Sequence, residues 1–176
     1  MQGEGGFRAS TKTDFLPQAD GFASLAAAEQ GFAPAQNNLG IMCAHGRGVA
    51  QDFAQAVEWY RKAAEQGVPD AQTNLGELCA NGGGIPKDDA EAVKWFRKAA
   101  EQGDTSAQFD LGRMYEAGRG ISHDTVEAYA WLSLSTAAGN GEAQSRLSDL
   151  AKRMTPAQIA EGKRRADAWL AQHQRR

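Results

Sequence analysis

The residues of this chain that are able to do chemistry are few, and their spacing decides what they can do. Two cysteines, Cys43 and Cys79, stand 36 residues apart. Such a pair raises the question of a disulfide, and with the histidines that of a metal site. The histidines His45, His123 and His173 form no His-x3-His pair and neither cysteine lies in a Cys-x2-Cys pair, so no metal-ligand spacing is present. The turns Gly46-Arg47-Gly48, Gly82-Gly83-Gly84 and Gly118-Arg119-Gly120 offer the glycines of a phosphate loop, but no Gly-Lys-Ser/Thr follows them. No serine has a lysine three residues on, the element a β-lactamase-like acyl transfer needs. Asp88-Asp89 reads as a helix start, where the dipole favours negative charge. Lys163-Arg164-Arg165 and Arg175-Arg176 are the local basic density, and Glu161 and Asp167 offset the first group.

The elements that must position these residues repeat. Ala-Gln at 35–36 recurs at 71–72, 107–108 and 143–144. Residues 35–70 and 71–106 share 21 identities in 36 positions. Leu39-Gly40 returns as Leu75-Gly76 and Leu111-Gly112; Asp52 as Asp88 and Asp124; Trp59 as Trp95 and Trp131. A fixed period of this length is the signature of a stacked repeat.

Each copy reads as two helices. Ala35, Leu39 and Met42 form an apolar stripe at helical spacing, predicting a helix near 35–45. The glycine pair ends it, and Asp52, Asp88 and Asp124 are placed to cap a second helix, near 53–66 in the first copy. Gly40, Gly76 and Gly112 fall inside helices, where glycine costs ~1 kcal/mol relative to alanine. Close approach of a neighbouring helix is the expected compensation, with the three tryptophans filling the space between helices. One helix pair cannot bury both its apolar faces, so neighbours must stack into an all-α, right-handed solenoid of antiparallel helix pairs.

The same period bears on the cysteines. Equivalent points in adjacent repeats lie about 10 Å apart, whereas a disulfide needs Cα atoms within about 7 Å. Both thiols are therefore expected to be free, and partly or fully buried.

The pattern Ala-x3-Leu-Gly-x-Met/Leu-x3-Gly-x-Gly-Val/Ile-x2-Asp-x3-Ala-x2-Trp, followed by Lys-Ala-Ala-Glu-Gln-Gly, resembles the Sel1-like repeat. That repeat is a relative of the tetratricopeptide repeat, whose period is about 34 residues. The resemblance covers about residues 27–154. It implies an adaptor that brings proteins together, as members do in bacterial envelope, signalling and host-interaction settings and in eukaryotic protein quality control. Some relatives are described as β-lactamase-like, and a cysteine-rich branch pairs cysteines within a repeat; the partner cysteines are missing here.

The expected organisation is an N-terminal disordered segment at 1–16 and one solenoid domain at 17–172. Within it lie full repeats at 35–70, 71–106 and 107–142, a partial repeat at 143–154 and a capping helix at 156–172. Ala27 to Gly31 match Ala63 to Gly67, so the chain enters through the second helix of a partial repeat. Thr155-Pro156-Ala157-Gln158 carries the signature of a capping box, with Ile159, Ala166, Trp169 and Leu170 facing inward behind it.

A formal charge of -3 gives no basic field for nucleic acid. No apolar run reaches the ~20 residues of a membrane helix. Met1 to Ser10 lack a signal peptide's apolar core. The expectation is a cytoplasmic placement by default, or a periplasmic or secreted one if a leader was removed.

No cofactor is implied, and the chain reads as a non-enzymatic scaffold for an unidentified protein or peptide. Counting each first helix from Ala35, Ala71, Ala107 and Ala143, positions three, four, seven and ten vary between copies. The concave face they would line gives the candidate set Asn38, Ile41, Asn74, Glu77, Phe109, Asp110 and Arg113. Asn38 and Asn74 would hydrogen-bond an extended backbone, and Phe109 beside Arg113 would anchor a side chain. Two alternatives stand: a structural or weakly self-associating module, and an enzyme of the β-lactamase-like kind.

Overall fold

A computed structural model of the chain describes residues 25–173. The expected disordered segment at 1–16, the opening of the domain from 17 and Arg175-Arg176 lie outside the described residues. Helical residues 25–29 lead into eight helices: α1 (Ala33–His45), α2 (Phe53–Glu65), α3 (Pro69–Asn81), α4 (Asp89–Glu101), α5 (Thr105–Ala117), α6 (Thr125–Ala137), α7 (Gly141–Ala151) and α8 (Pro156–His173). No strand occurs among the described residues. Helices pair within each repeat as α1–α2, α3–α4 and α5–α6, and each pair packs on the next through α2–α3 and α4–α5.

The chemistry at the helix ends follows the sequence. Asp52, Asp88 and Asp124 accept backbone N–H groups of Gln55 at 3.0 Å, Glu91 at 2.9 Å and Val126 at 2.9 Å. Gly46, Gly82 and Gly118 close α1, α3 and α5 in the left-handed conformation. The capping box also forms: Thr155 N donates to Gln158 Oε1 at 2.9 Å, and Gln158 N donates to Thr155 Oγ1 at 3.3 Å. The first helices begin at Ala33, Pro69 and Thr105, two residues ahead of each Ala-Gln pair. Pro34 and Pro69 stand in the first turn, where a missing N–H costs nothing.

Leu39, Leu75 and Leu111 are fully buried along the solenoid axis. The helix glycines behave as expected, but their partner is not the tryptophan. A Cβ on Gly76 would stand 2.7 Å from Cε1 of Phe96, and one on Gly40 2.5 Å from Cδ1 of Tyr60. The residue after each tryptophan is the one that drops into the notch, with Leu132 in the third copy. Of the tryptophans only Trp95 is buried; Trp59 and Trp131 are half-buried. The Lys62 and Lys98 ammonium groups cover the rings of Trp59 and Trp95 at 4.0 and 4.1 Å from the centroids.

Repeats are stitched by the glutamines that mark the period. Gln36, Gln72 and Gln108 are buried, and their Nε2 groups donate to the carbonyls of Ala28, Ala64 and Ala100 at 3.1, 3.0 and 3.3 Å. These carbonyls lie at helix C-termini, which leave acceptors without intrahelical partners. Gln66 and Gln102 then donate to Gln36 Oε1 and Gln72 Oε1 at 2.7 and 2.8 Å. Gln72 thus ties together α2, α3 and α4.

α8 closes the stack by lying against α6. Gly162 lets it approach Tyr129, whose Cδ1 would stand 2.7 Å from an added Cβ. Ala130 and Leu134, both buried beside α8, replace the exposed Lys94 and Lys98 of the second copy. Trp169 meets Trp131 edge-on at 6.4 Å and stacks on His173 at 3.7 Å. The His173 ring nitrogens lie 2.9 Å from the Trp169 carbonyl oxygen and 2.8 Å from that of Glu101, reaching back to the end of α4.

Both cysteines are free and buried. Burial, with a smaller contribution from Asp52, pushes the Cys43 thiol up to about 11, and burial raises Cys79 as well. Thiols so far from ionisation are packing groups rather than nucleophiles.

Candidate concave binding groove

The first helices stand side by side, so residues of α3, α5 and α7 share one wall of the solenoid. A concave groove of about 950 Å³ opens there. Glu77 enters from α3, Phe109, Asp110 and Arg113 from α5, and Glu142 and Ser145 from α7. Asn74 lies in an adjoining hollow of about 200 Å³ that Glu77 also lines. Five of the seven expected residues therefore meet in two neighbouring depressions joined at Glu77. Asn38, which is exposed, and Ile41, half-buried against the core, lie on α1 and are not among the lining residues of either.

Position three of the first helix is not the open position that its variation suggests. Asn37 and Thr73 are buried between repeats. Asn37 Oδ1 accepts from Asn74 Nδ2 at 3.3 Å, and Thr73 Oγ1 donates to Asp104 Oδ1 at 3.0 Å. Phe109, at the same position, is half-buried and turned to the groove. One amide proton of Asn74 is thus already engaged, and its carbonyl oxygen is the group left for a ligand.

The Arg113 guanidinium sits 5.5 Å from the Phe109 ring centroid and pairs with Asp110 Oδ1 at 3.0 Å. Arg119, from the Gly-x-Gly turn, also lines the groove, but its guanidinium binds Asp89 at 2.6 and 3.1 Å and the Ala80 carbonyl at 3.3 Å. Burial raises the Asp110 carboxyl against the pull of Arg113, and Asp104 and Glu142 add smaller repulsions in the same direction as burial. Glu77 is raised by the desolvating groove walls, then by Asp110 and Asp104. Glu116, beside the groove, behaves oppositely. Burial works against its charge, but hydrogen bonds from Arg146 and Arg153 at 2.5 Å hold its carboxyl below the usual range.

The sequence did not point to Asn140, Gly141 and Glu142. They enter because the fourth copy's first turn stacks alongside α5, with Asn140 capping it through Glu142 N at 3.0 Å. The available signal was the cap residue itself at a predicted helix start.

Stacked helix pairs, inter-repeat stitches and a single concave wall define an α-solenoid repeat protein. The Sel1 repeat family model matches residues 33–68, 69–104 and 105–140. The chain belongs to the Sel1 repeat family, whose members are generally non-catalytic scaffolds for protein–protein interactions. Its fold is similar to c5321, described as a protective antigen of uropathogenic Escherichia coli strains displaying this fold: 42% identity, TM-score 0.73, covering 82% of this chain and 32% of that one. This chain therefore spans about a third of that protein. A Sel1 repeat protein from Oxalobacter formigenes matches at 38% identity and TM-score 0.68, covering 75% of this chain and 99% of that one. Helicobacter pylori cysteine-rich protein B, at 22% identity and TM-score 0.57, covers 71% of this chain and 95% of that one and shares the fold. Comparison with curated proteins gave no match. Among the described residues no helix is long and apolar enough to cross a membrane.

Proposed function

We propose that this chain is a non-enzymatic scaffold that docks a protein or peptide partner on its concave face. Asn74, Glu77, Phe109, Asp110 and Arg113 form the contact surface, with Asn38 and Ile41 on α1 extending it beyond the groove. The observation that carries this reading is the groove of about 950 Å³ between α3, α5 and α7, in which a half-buried aromatic ring stands beside an arginine and free polar groups. Aromatic and arginine side chains supply most of the binding energy at protein interfaces. The concave wall of a solenoid is also where its variable positions converge.

The test is capture of partners from the source cell by the wild-type chain and by an Asn74→Ala/Phe109→Ala variant whose melting curve matches wild type. The reading expects a partner retained by wild type and lost by the variant. A partner retained equally by both removes the concave face from the account. Light scattering over a hundredfold concentration range separates this from the self-associating alternative, which requires mass to rise with concentration.

A further inference from the structure

Charge accounting within the groove names the kind of partner. The two arginines that line it are already committed: Arg113 to Asp110 and the Phe109 ring, Arg119 to Asp89 and the Ala80 carbonyl. An incoming anion would have to displace one of these pairs. The carboxylates are differently placed. Glu116 is neutralised by Arg146 and Arg153. Glu77 and Glu142, on opposite walls, take part in none of the ion pairs formed among the described residues. Asp110, paired with one arginine, lines the groove with them, and Asp104, outside the lining at the N-terminus of α5, accepts from Thr73 and Ala107. The groove therefore holds a surplus of negative charge around an aromatic ring.

We propose, building on the scaffold reading above, that this groove receives an extended peptide segment of a partner protein carrying a lysine or arginine. The basic head group lies between Glu77 and Glu142, and its aliphatic stem runs along Phe109. A long basic side chain suits both parts of this surface, because its methylene stem packs on apolar groups while its charge stays with the carboxylates. The Asn74 carbonyl oxygen, left free by the Asn37 contact, accepts a backbone N–H of the same segment. The raised carboxyls of Glu77 and Asp110, due first to burial and then to neighbouring carboxylates, agree with this, since an incoming cation would stabilise their charged forms.

The test is selection from a random twelve-residue peptide library displayed on phage, panned on the whole wild-type chain at moderate salt. The selected pool is expected to be enriched in lysine and arginine over the starting library. Its retention should fall about tenfold on a Glu77→Gln/Glu142→Gln variant, the size of a partly buried charge pair. Both substitutions keep side-chain shape, and a circular-dichroism melt checks the fold. A second variant, Glu77→Lys, should shift the selected pool towards acidic peptides. A pool without basic enrichment, or one retained equally by wild type and by the Glu77→Gln/Glu142→Gln variant, overturns the proposal. If such a pool is still lost on Asn74→Ala/Phe109→Ala, the scaffold reading survives without its basic partner. If nothing enriches over the bare support, both are overturned.

Discussion

Replacing Gly84 by alanine isolates one contact between neighbouring repeats, that of the Gly-x-Gly turn with the start of α2. Gly82 and Gly84 lie in the same turn with nearly the same left-handed backbone, φ +77° and +74°. Alanine at either site therefore incurs the same left-handed strain, roughly 1–2 kcal/mol. Their surroundings differ. A Cβ on Gly82 would meet nothing nearer than Lys87 Cβ at 3.5 Å. A Cβ on Gly84 would stand 2.5 Å from Phe53 Cβ, 2.6 Å from the Phe53 carbonyl carbon and 2.8 Å from Ala54 N, at the start of α2 in the preceding repeat. Two of those atoms are backbone and cannot swing aside. The turn must lift away from α2, adding an overpacking cost of roughly 1–3 kcal/mol. Gly84→Ala is thus expected to destabilise by roughly 2–5 kcal/mol and Gly82→Ala by roughly 1–2. Urea unfolding followed by circular dichroism measures both. The stacking account also expects Gly84→Ala to lower the m-value, because repeats with a weakened interface unfold less cooperatively. Equal losses at the two glycines would refute the claim that this turn packs against the backbone of the preceding repeat.

Three further outcomes follow from the same contacts. Gln72→Ala leaves the Ala64 carbonyl buried without its partner and removes the acceptor for Gln102; a loss of roughly 1–3 kcal/mol in chemical denaturation is expected. Trp95→Ala empties a site that is 7% exposed, at an expected cost of roughly 3–5 kcal/mol, and an unchanged melting midpoint would remove Trp95 from the core. Glu77 has a folded-state pKa above its unfolded value, so its contribution to stability is full below the unfolded value and is lost as pH rises through the folded one. Glu77→Gln should therefore stabilise the chain at neutral pH, with the gain vanishing below about pH 4. The opposite sign at neutral pH would show that the groove does not strain this carboxylate.

Much of the scaffold was legible because repetition exposes it. The period located every helix pair, and Asp52, Asp88 and Asp124 marked helix starts through a chemistry that needs no tertiary context. That the cysteines are free followed from the repeat spacing alone. Pairings between elements were harder. Glycine inside a helix announced a close approach, but Trp59 and Tyr60 are adjacent large aromatics, and which of them enters the notch depends on the helix rotation. Gln36, Gln72 and Gln108 look like surface residues by type. Their constancy among variable neighbours was the available signal, and the helix C-terminal carbonyls they satisfy appear only once the repeats are stacked. Asn37 and Thr73 misled for a related reason, since a variable position can still be buried when each copy finds its own polar partner. In the groove, Glu77, Phe109, Asp110 and Arg113 came from the variable face, whereas Glu142 lies one residue ahead of Ala143, where the fourth copy's counted positions begin.

The central claim is that the wall formed by α3, α5 and α7 is where this scaffold meets its partner. The most direct measurement places a photo-crosslinking amino acid at Ser145, in the groove, and separately at Lys94, an exposed position on α4 outside it. Each protein is then irradiated in the source cell. The account predicts a discrete adduct from Ser145 that disappears in the Glu77→Gln/Glu142→Gln background, and none from Lys94. An adduct from Lys94 with none from Ser145 would contradict it.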